Sequence, residues 1–178
     1  MTTAHSDFSA LIAPHLAALF RSAYRLTGNR PDAEDLVQEV CMRAYAEIGT
    51  LRSFEQPKGW LFKVAYRAFL DGVRRRARSR VGATGEDFDA TRFSDGPTPE
   101  ETTEAELAER RLLDAFGRLD RDQRALLALH VEGHTLAELQ AITDLSTDVL
   151  KARLYRARVR LGRLLAAETP APALALEK

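Results

Sequence analysis

Cysteine is almost missing from this sequence. Cys41 is the only one among 178 residues, so no disulfide can form within the chain and a disulfide-stapled secreted domain is excluded. It follows Val37 and Val40 in a helical pattern, which predicts a buried structural thiol.

Long apolar runs are missing as well. None approaches 18 residues, so we expect no transmembrane helix and no insertion into a membrane. The N-terminus lacks the basic start and apolar centre of a signal peptide, so a cytoplasmic location is the default expectation.

The patterns of strands and of common catalytic sites are also missing. No stretch alternates apolar and polar residues, which favours an all-α fold. There is no glycine-rich phosphate loop and no defensible Ser/His/Asp arrangement, so we predict that the protein is not an enzyme and carries no cofactor. His130 and His134 have the spacing of a metal-binding pair, but Gly133 breaks the helix between them and no third ligand is near in sequence. We therefore predict no metal site and no catalytic residues.

The formal net charge is zero, with 26 basic and 26 acidic residues, but the charges are unevenly distributed. Residues 1–80 hold 13 Lys and Arg against 8 Asp and Glu, a net charge of +5. Residues 81–103 hold one Arg and six acids, a net charge of −5. Six of the eight basic residues in 119–165 fall in its last fifteen positions. Because a local patch matters more than the total, this composition is compatible with a polyanionic partner.

Helical periodicity recurs along the chain with one long interruption. It predicts seven helices, over residues 8–27, 31–48, 59–80, 104–118, 120–131, 135–143 and 147–165. Gly, Thr, Pro and acidic residues dominate the interruption, which is typical of a flexible linker. We therefore expect two small helical domains, 1–80 and 104–166, joined by a flexible acidic linker, 81–103, and followed by a loose tail, 167–178.

The last two predicted helices have the dimensions of a helix-turn-helix. In that motif the second helix enters the major groove of DNA and the first braces it. Cations recur along one face of the final helix, away from its apolar seam: Arg153, Arg156, Arg160 and Arg163. Such cations suit phosphates and guanine edges, which favours DNA binding. The alternative is the solvated face of an ordinary amphipathic helix.

The third predicted helix mixes aromatic rings with cations. Rings that stack on unpaired bases, beside cations that follow the backbone, are what single-stranded DNA binding requires. Phe62 and Tyr66 lie four residues apart on one face and are the better candidates for stacking. Trp60 and Phe69 fit a core position equally well.

An acidic ridge marks the second predicted helix, in a half of the chain that is otherwise basic. Its polar residues are Asp32, Glu34, Asp35, Gln38 and Glu39. Acids would repel DNA, so this ridge favours a basic protein partner. No histidine joins the carboxylates and the helical spacing spreads them apart, which argues against a metal site.

Three stretches of the chain read RLTGNRPDAEDLVQEVCMRAY, PKGWLFKVAYRAFLDGVRRRAR and LDRDQRALLALHVEGHTLAELQAITDLSTDVLKARLYRARVRL. They resemble the extracytoplasmic-function (ECF) sigma factors of bacterial RNA polymerase, a group within the sigma-70 family. The resemblance covers residues 13–165 in order, with the predicted linker where the family has one. It implies a region 2 helical bundle in 1–80 and a region 4 helix-turn-helix in 104–166.

The resemblance also implies a function. Such a chain binds core RNA polymerase, melts and reads the promoter's −10 element through region 2, and reads the −35 element as duplex through region 4. The clamp helices of the largest polymerase subunit would dock on Asp32, Asp35, Gln38 and Glu39. The −10 element would meet the loop at 49–57 and a set of rings and cations, namely Phe54, Trp60, Lys63, Tyr66, Arg67, Arg74, Arg75 and Arg76. The −35 element would meet Lys151, Arg153, Tyr155, Arg156 and Arg160. An anti-sigma partner is also expected.

Four positions depart from the pattern usual in that family. Arg67 stands where members often carry Asn, and Asp144 stands where they usually have Gly at the turn. Val149 and Ala152 replace two hydroxyl side chains that bond the DNA backbone, each worth about 0.5–1.5 kcal/mol. Val149 and Ala152 therefore leave open a sigma-like decoy that binds an anti-sigma protein. A free-standing helix-turn-helix regulator is a further alternative, but it would leave the DAEDLVQE stretch unexplained.

Overall fold

The computed structural model of the chain describes residues 2–54, 56–79 and 103–168. The predicted linker, except Thr103, and the predicted tail beyond residue 168 lie outside the described residues. Within them the chain forms eight helices and no strand, which confirms the all-α prediction. The helices are α1 (Thr2–Thr27), α2 (Arg30–Ala46), α3 (Ile48–Leu51), α4 (Pro57–Ser79), α5 (Glu104–Gly117), α6 (Arg121–Val131), α7 (Leu136–Thr143) and α8 (Thr147–Glu168). No helix in this described part is long and apolar enough to cross a membrane.

Local capping sequences set several helix ends. Gly28, with a φ of 79°, follows the last residue of α1, as a residue without a Cβ allows. The Asn29 side chain then accepts a hydrogen bond from the Asp32 amide, 2.9 Å long, at the start of α2. Thr103 and Thr135 each form a capping box with the glutamate three residues later, at the starts of α5 and α7. These boundaries follow from a few residues of local sequence.

Two predicted boundaries in the N-terminal half are wrong. α1 begins at Thr2 and not at residue 8. The predicted loop at 49–57 is partly helical, because α3 occupies its first residues after α2 has ended at Ala46. Leu51 is fully buried at the end of α3. Burial of this side chain stabilises a helical turn that the Gly-Thr pair inside it would disfavour on propensity alone.

Each half of the chain has its own packed helices. In the N-terminal half α1, α2 and α4 contact one another and bury Leu19 and Leu61 completely. In the C-terminal half α8 packs on α5, α6 and α7, and Leu139 and Leu150 are completely buried there. Both halves thus have the apolar interior that the periodicity predicts.

The two halves are also packed against each other. α1 lies against α5 and α6, and α4 lies against α6 and α7. As a result, buried residues from both halves form one continuous hydrophobic cluster. The helix that carries most of the predicted −10 residues therefore lies against the first helix of the helix-turn-helix.

Candidate nucleic-acid interface

The acidic ridge of α2 lies on the surface. Asp35 and Gln38 are exposed, and neither contacts another described side chain through a hydrogen bond or an ion pair. Glu39 pairs with Arg43 one turn later on the same helix. Asp32 is half-buried and takes part in the cap, where its carboxylate accepts a bond from the Asn29 side-chain amide. Asp35 and Gln38 are therefore the predicted docking residues best placed to meet a partner.

Sequence reasoning missed an apolar extension of this ridge. Met42 is 60% exposed and Tyr45 is 53% exposed, one and two turns beyond Gln38 on α2. The Tyr45 ring meets the Phe8 ring edge-on, with centroids 5.4 Å apart. Exposed methionine and tyrosine side chains are enriched in protein–protein interfaces. The signal was present in the sequence as two large apolar residues on the polar side of an amphipathic helix.

Two of the predicted −10 cations on α4 bind acceptors in the C-terminal half. The Lys63 amine donates to Asp144 Oδ1 at 2.8 Å and to the carbonyl oxygen of Ala141 at 2.9 Å. The Arg67 guanidinium donates to Asp144 Oδ2 at 3.1 Å. Both cations therefore share one carboxylate, and it comes from the turn of the helix-turn-helix.

The remaining arginines of α4 lie further along the helix. Arg74 and Arg75 are exposed, and Arg74 pairs with Asp71 at 3.4 Å, one turn earlier. The side chain of Arg76 lies outside the described residues. The exposed end of α4 is thus basic, as a surface that follows a phosphate backbone requires.

The predicted stacking ring Phe62 is buried. It has no exposed surface and meets the His134 imidazole edge-on, with ring centroids 4.4 Å apart. The prediction that Phe62 is available for stacking is therefore wrong for this arrangement, because the C-terminal half covers that face of α4. Tyr66 is half-buried, and burial, followed by the nearby Asp122 carboxylate, raises the pKa of its hydroxyl. Phe69 is a core residue, 5% exposed.

Trp60 is half-buried and borders a cavity of about 350 Å³ between the two halves. The N-terminal half contributes Trp60 together with Phe54, Gln56, Gly59 and Lys63, and the C-terminal half contributes Glu138 and Ala141. The cavity thus combines the end of the 49–57 loop, an indole ring and a cation. This is the set that the capture of a single base requires, but α7 forms one of its walls.

The final helix carries the predicted −35 residues on its outer side. Lys151, Tyr155, Arg156 and Arg160 are exposed, as are Val149 and Ala152. The apolar seam opposite them is buried, at Leu150, Leu154, Ala157 and Leu164. Arg153 differs from the other cations, because it is half-buried and its guanidinium lies 3.8 Å from Asp122 Oδ2. Arg153 and Arg156 border an open groove of about 450 Å³ beside the start of α6.

A polar contact between the halves was not predicted. The Glu132 side chain, 4% exposed, accepts a hydrogen bond from Arg21 at 2.8 Å and also pairs with Arg25. Burial would raise the pKa of Glu132, but the hydrogen bonds from the two guanidiniums outweigh it and lower that pKa. These partners are more than a hundred residues apart, so no local pattern could have joined them.

Arg124 is a second unpredicted contact. It is 9% exposed and donates to the carbonyl oxygens of Leu26 at 3.1 Å, Gly117 at 2.6 Å and Leu119 at 3.2 Å. Burial lowers the pKa of its guanidinium to about 10, against a smaller opposing effect of Asp120. The signal in the sequence was an arginine inside the apolar run of α6, but the sequence did not identify its acceptors.

His130 and His134, the pair with metal-binding spacing, do not point to a common site. His134 is buried against Phe62, whereas His130 contacts Arg158 on α8. Among the described residues, no group of three or more His, Cys, Asp and Glu side chains could hold a metal ion. His134 thus contacts the N-terminal half, and His130 contacts α8.

The described part of the chain combines an exposed acidic ridge, a helix of rings and cations, and a helix-turn-helix with an outer basic face. This combination is typical of a helical DNA-binding protein. The family model for Sigma-70 region 2 matches residues 11–79. The ECF RNA polymerase sigma factor SigL of Mycobacterium tuberculosis is 36% identical over 163 residues, which cover 87% of this chain and 86% of SigL. SigE of Mycolicibacterium smegmatis is 34% identical over 90% of this chain, which spans 62% of the length of SigE. The chain belongs to the ECF RNA polymerase sigma factors.

Two solved structures resemble the whole arrangement. The sigma factor RpoE in complex with the anti-sigma factor NepR from Bartonella quintana has a TM-score of 0.72 and 27% identity, covering 92% of this chain and 99% of RpoE. CnrH in complex with the cytosolic domain of CnrY has a TM-score of 0.61 and 26% identity, covering 91% of this chain and 89% of CnrH. In both comparisons the matched part of this chain includes residues of both halves.

Proposed function

We propose that the chain binds core RNA polymerase through the acidic ridge of α2 and directs initiation at specific promoters. Its α4 would hold the −10 element, and its α8 would read the −35 element as duplex. The observation that carries the docking step is the exposure of Asp35 and Gln38 without partners among the described side chains, on a surface continued by Met42 and Tyr45. Charge complementarity with a basic partner would then set the orientation of docking.

The DNA-reading roles are supported by where the cations lie. Lys151, Arg156 and Arg160 are exposed on α8, so their side chains can reach phosphates and base edges once this helix enters a major groove. As a sigma factor the protein would act in the cytoplasm beside the polymerase, which performs the chemistry. It would need no cofactor and would not itself be an enzyme.

An anti-sigma protein is the further partner that we propose. The solved structures of RpoE and CnrH each hold such a sigma chain with a second protein, NepR or the cytosolic domain of CnrY. This chain resembles RpoE over 92% of its length with both halves matched. A partner that favours this packed arrangement would keep α7 over the cavity beside Trp60.

Run-off transcription with purified core polymerase tests the proposed function. The wild-type chain should support initiation from promoters found by sequencing transcripts after its overexpression. Asp35→Arg should abolish initiation and co-purification with core polymerase, because it puts a cation on the surface proposed to meet a basic partner. Glu109→Arg, the same charge change at an exposed site on α5, should leave both intact. Transcription unaffected by Asp35→Arg would favour the free-standing regulator, and capture of an anti-sigma protein with no polymerase would favour the decoy.

A further inference from the structure

Asp144 lies in a conformation that few residues adopt. Its φ is 60° and its ψ is 23°, in the left-handed region, and its amide donates to the carbonyl oxygen of Gln140 at 2.9 Å to end α7. Gly, Asn and Asp are the residues that tolerate this region best. The turn could therefore form without a charge, so the carboxylate at this position needs a different explanation.

The Asp144 carboxylate divides its two oxygens between two cations of the other half. Oδ1 accepts from Lys63 at 2.8 Å and Oδ2 accepts from Arg67 at 3.1 Å. The Lys63 amine also donates to the Ala141 carbonyl at 2.9 Å, near the negative C-terminal end of α7. The hydrogen bonds from Lys63 and then Arg67 lower the pKa of Asp144, so the carboxylate is ionised at neutral pH. The carboxylate thus bridges the two cations with one negative charge and two acceptor oxygens, as the phosphate of a DNA strand could.

The Asp144 and Arg67 side chains are 61% and 59% exposed, but the surface beside their contact is covered. Ala141 and Glu138 of α7 form one wall of the cavity that Trp60 and Phe54 border. Phe62, on the same helix as Lys63, is fully buried against His134. When Asp144 holds Lys63 and Arg67, the C-terminal half therefore lies over the part of the proposed −10 surface at Trp60 and Lys63, while Arg74 and Arg75 stay exposed.

We propose that Asp144 is an internal competitor of promoter DNA, holding the two halves closed by occupying the cations that bind the −10 strand. The proposal rests on the proposed function, since it takes Lys63 and Arg67 as ligands of that strand. A phosphate and the Asp144 carboxylate cannot occupy the same two donors at once. Opening of the halves then releases Lys63 and Arg67 from Asp144 and uncovers the cavity beside Trp60 at the same time.

Asp144→Asn tests the proposal, because asparagine keeps the shape of the side chain and tolerates the left-handed turn while removing the charge. The conformational readout is single-molecule energy transfer in the full chain, between dyes on cysteines placed at the exposed positions Thr50 and Ala166, with Cys41 changed to serine. Asp144→Asn should shift the distribution of the free chain towards larger separations. Glu109→Gln, which removes an exposed charge from the same half, should not. Asp144→Gly, a second variant suited to the turn, should reproduce the shift.

The second readout is binding of the free chain to a labelled single-stranded oligonucleotide with a −10 sequence, at low salt. Asp144→Asn should bind it several-fold more tightly than the wild type. Distance distributions identical to those of Glu109→Gln would overturn the proposal, and so would opening without tighter binding. Run-off transcription distinguishes a failure of this proposal from a failure of the proposed function. If Asp144→Asn opens the halves but neither it nor the wild type initiates transcription, the proposed function is contradicted and the closed contact through Asp144 is still established.

Discussion

The imidazole of His134 packs edge-on against the ring of Phe62, with the ring centroids 4.4 Å apart. His134 is 2% exposed, and neither of its ring nitrogens has a hydrogen-bond partner among the described residues. Burial and then the charge of Lys58 lower its pKa, against smaller opposing effects of Glu138 and Glu132. The contact between the halves therefore favours a neutral His134.

The packed arrangement should lose stability in mild acid because of this histidine. The pKa of His134 is lower in the folded chain than in the unfolded one. As the pH falls through about 6.5, the unfolded chain therefore binds more protons than the folded chain. The free energy of unfolding decreases as a result, until the pH reaches the lower pKa of the folded state. Chemical denaturation between about pH 7 and pH 5 measures this decrease. The pKa values of Glu132, Glu138 and Asp144 are lowered, so these acids titrate below that window.

Substitution separates His134 from the other histidines. His134→Leu should remove most of the pH dependence between about pH 7 and pH 5, since leucine keeps an apolar contact with Phe62 without a titrating group. His15→Gln is the comparison: burial and then the charge of Lys58 also lower the pKa of His15, but this side chain is only half-buried, so its share of the pH dependence should be smaller. This variant should keep most of the slope. An unchanged slope in His134→Leu would assign the acid response to other groups.

Arg124→Met should destabilise the chain by about 2–4 kcal/mol, because it leaves buried carbonyl oxygens without their charged donor. The guanidinium bridges the end of α1, at Leu26, and the end of α5, at Gly117, so its loss affects both halves. Urea denaturation followed by circular dichroism measures the change in free energy of unfolding. Arg121→Met is the matched control on the same helix, since Arg121 is exposed, and it should stay within about 0.5 kcal/mol of wild type. Equal effects of the two substitutions would mean that the buried bonds of Arg124 contribute little.

Local patterns predicted most helices of this chain. They also predicted which side chains are exposed wherever exposure depends only on the face of one helix. The short helix predicted over residues 135–143 and the apolar seam at Leu150 and Leu154 are properties of short stretches, and the structure has both. Asp35 is exposed for the same reason.

The contact between the halves could not be predicted in the same way. Asp144 and Lys63 are 81 residues apart, and a carboxylate in a turn has no feature that identifies a distant partner. Phe62 and Tyr66 share a helix face in sequence, but whether that face stays open depends on packing by the other half. The family resemblance identified Asp144 as unusual without indicating what it contacts.

The cations of α8 should contribute unequally to promoter binding. Arg156 is exposed, whereas Arg153 is half-buried and lies 3.8 Å from Asp122. On the proposed function, Arg156→Ala should weaken binding of the −35 duplex and reduce the slope of log affinity against log salt by about 0.9, the value for one lost phosphate contact. Arg153→Ala should change that slope by less than half as much, because its guanidinium already has a carboxylate beside it.

Fluorescence anisotropy of a labelled promoter, titrated with polymerase holding each variant over a series of salt concentrations, gives these slopes. Arg111→Ala removes an exposed cation from α5 of the same half and should leave the slope at its wild-type value. If Arg153→Ala and Arg156→Ala reduced the slope equally, the Asp122 contact would have to break when α8 meets DNA, and Arg153 would be a phosphate ligand after all. The unequal result is expected, since separating a half-buried cation from a nearby acid opposes the gain from one further phosphate.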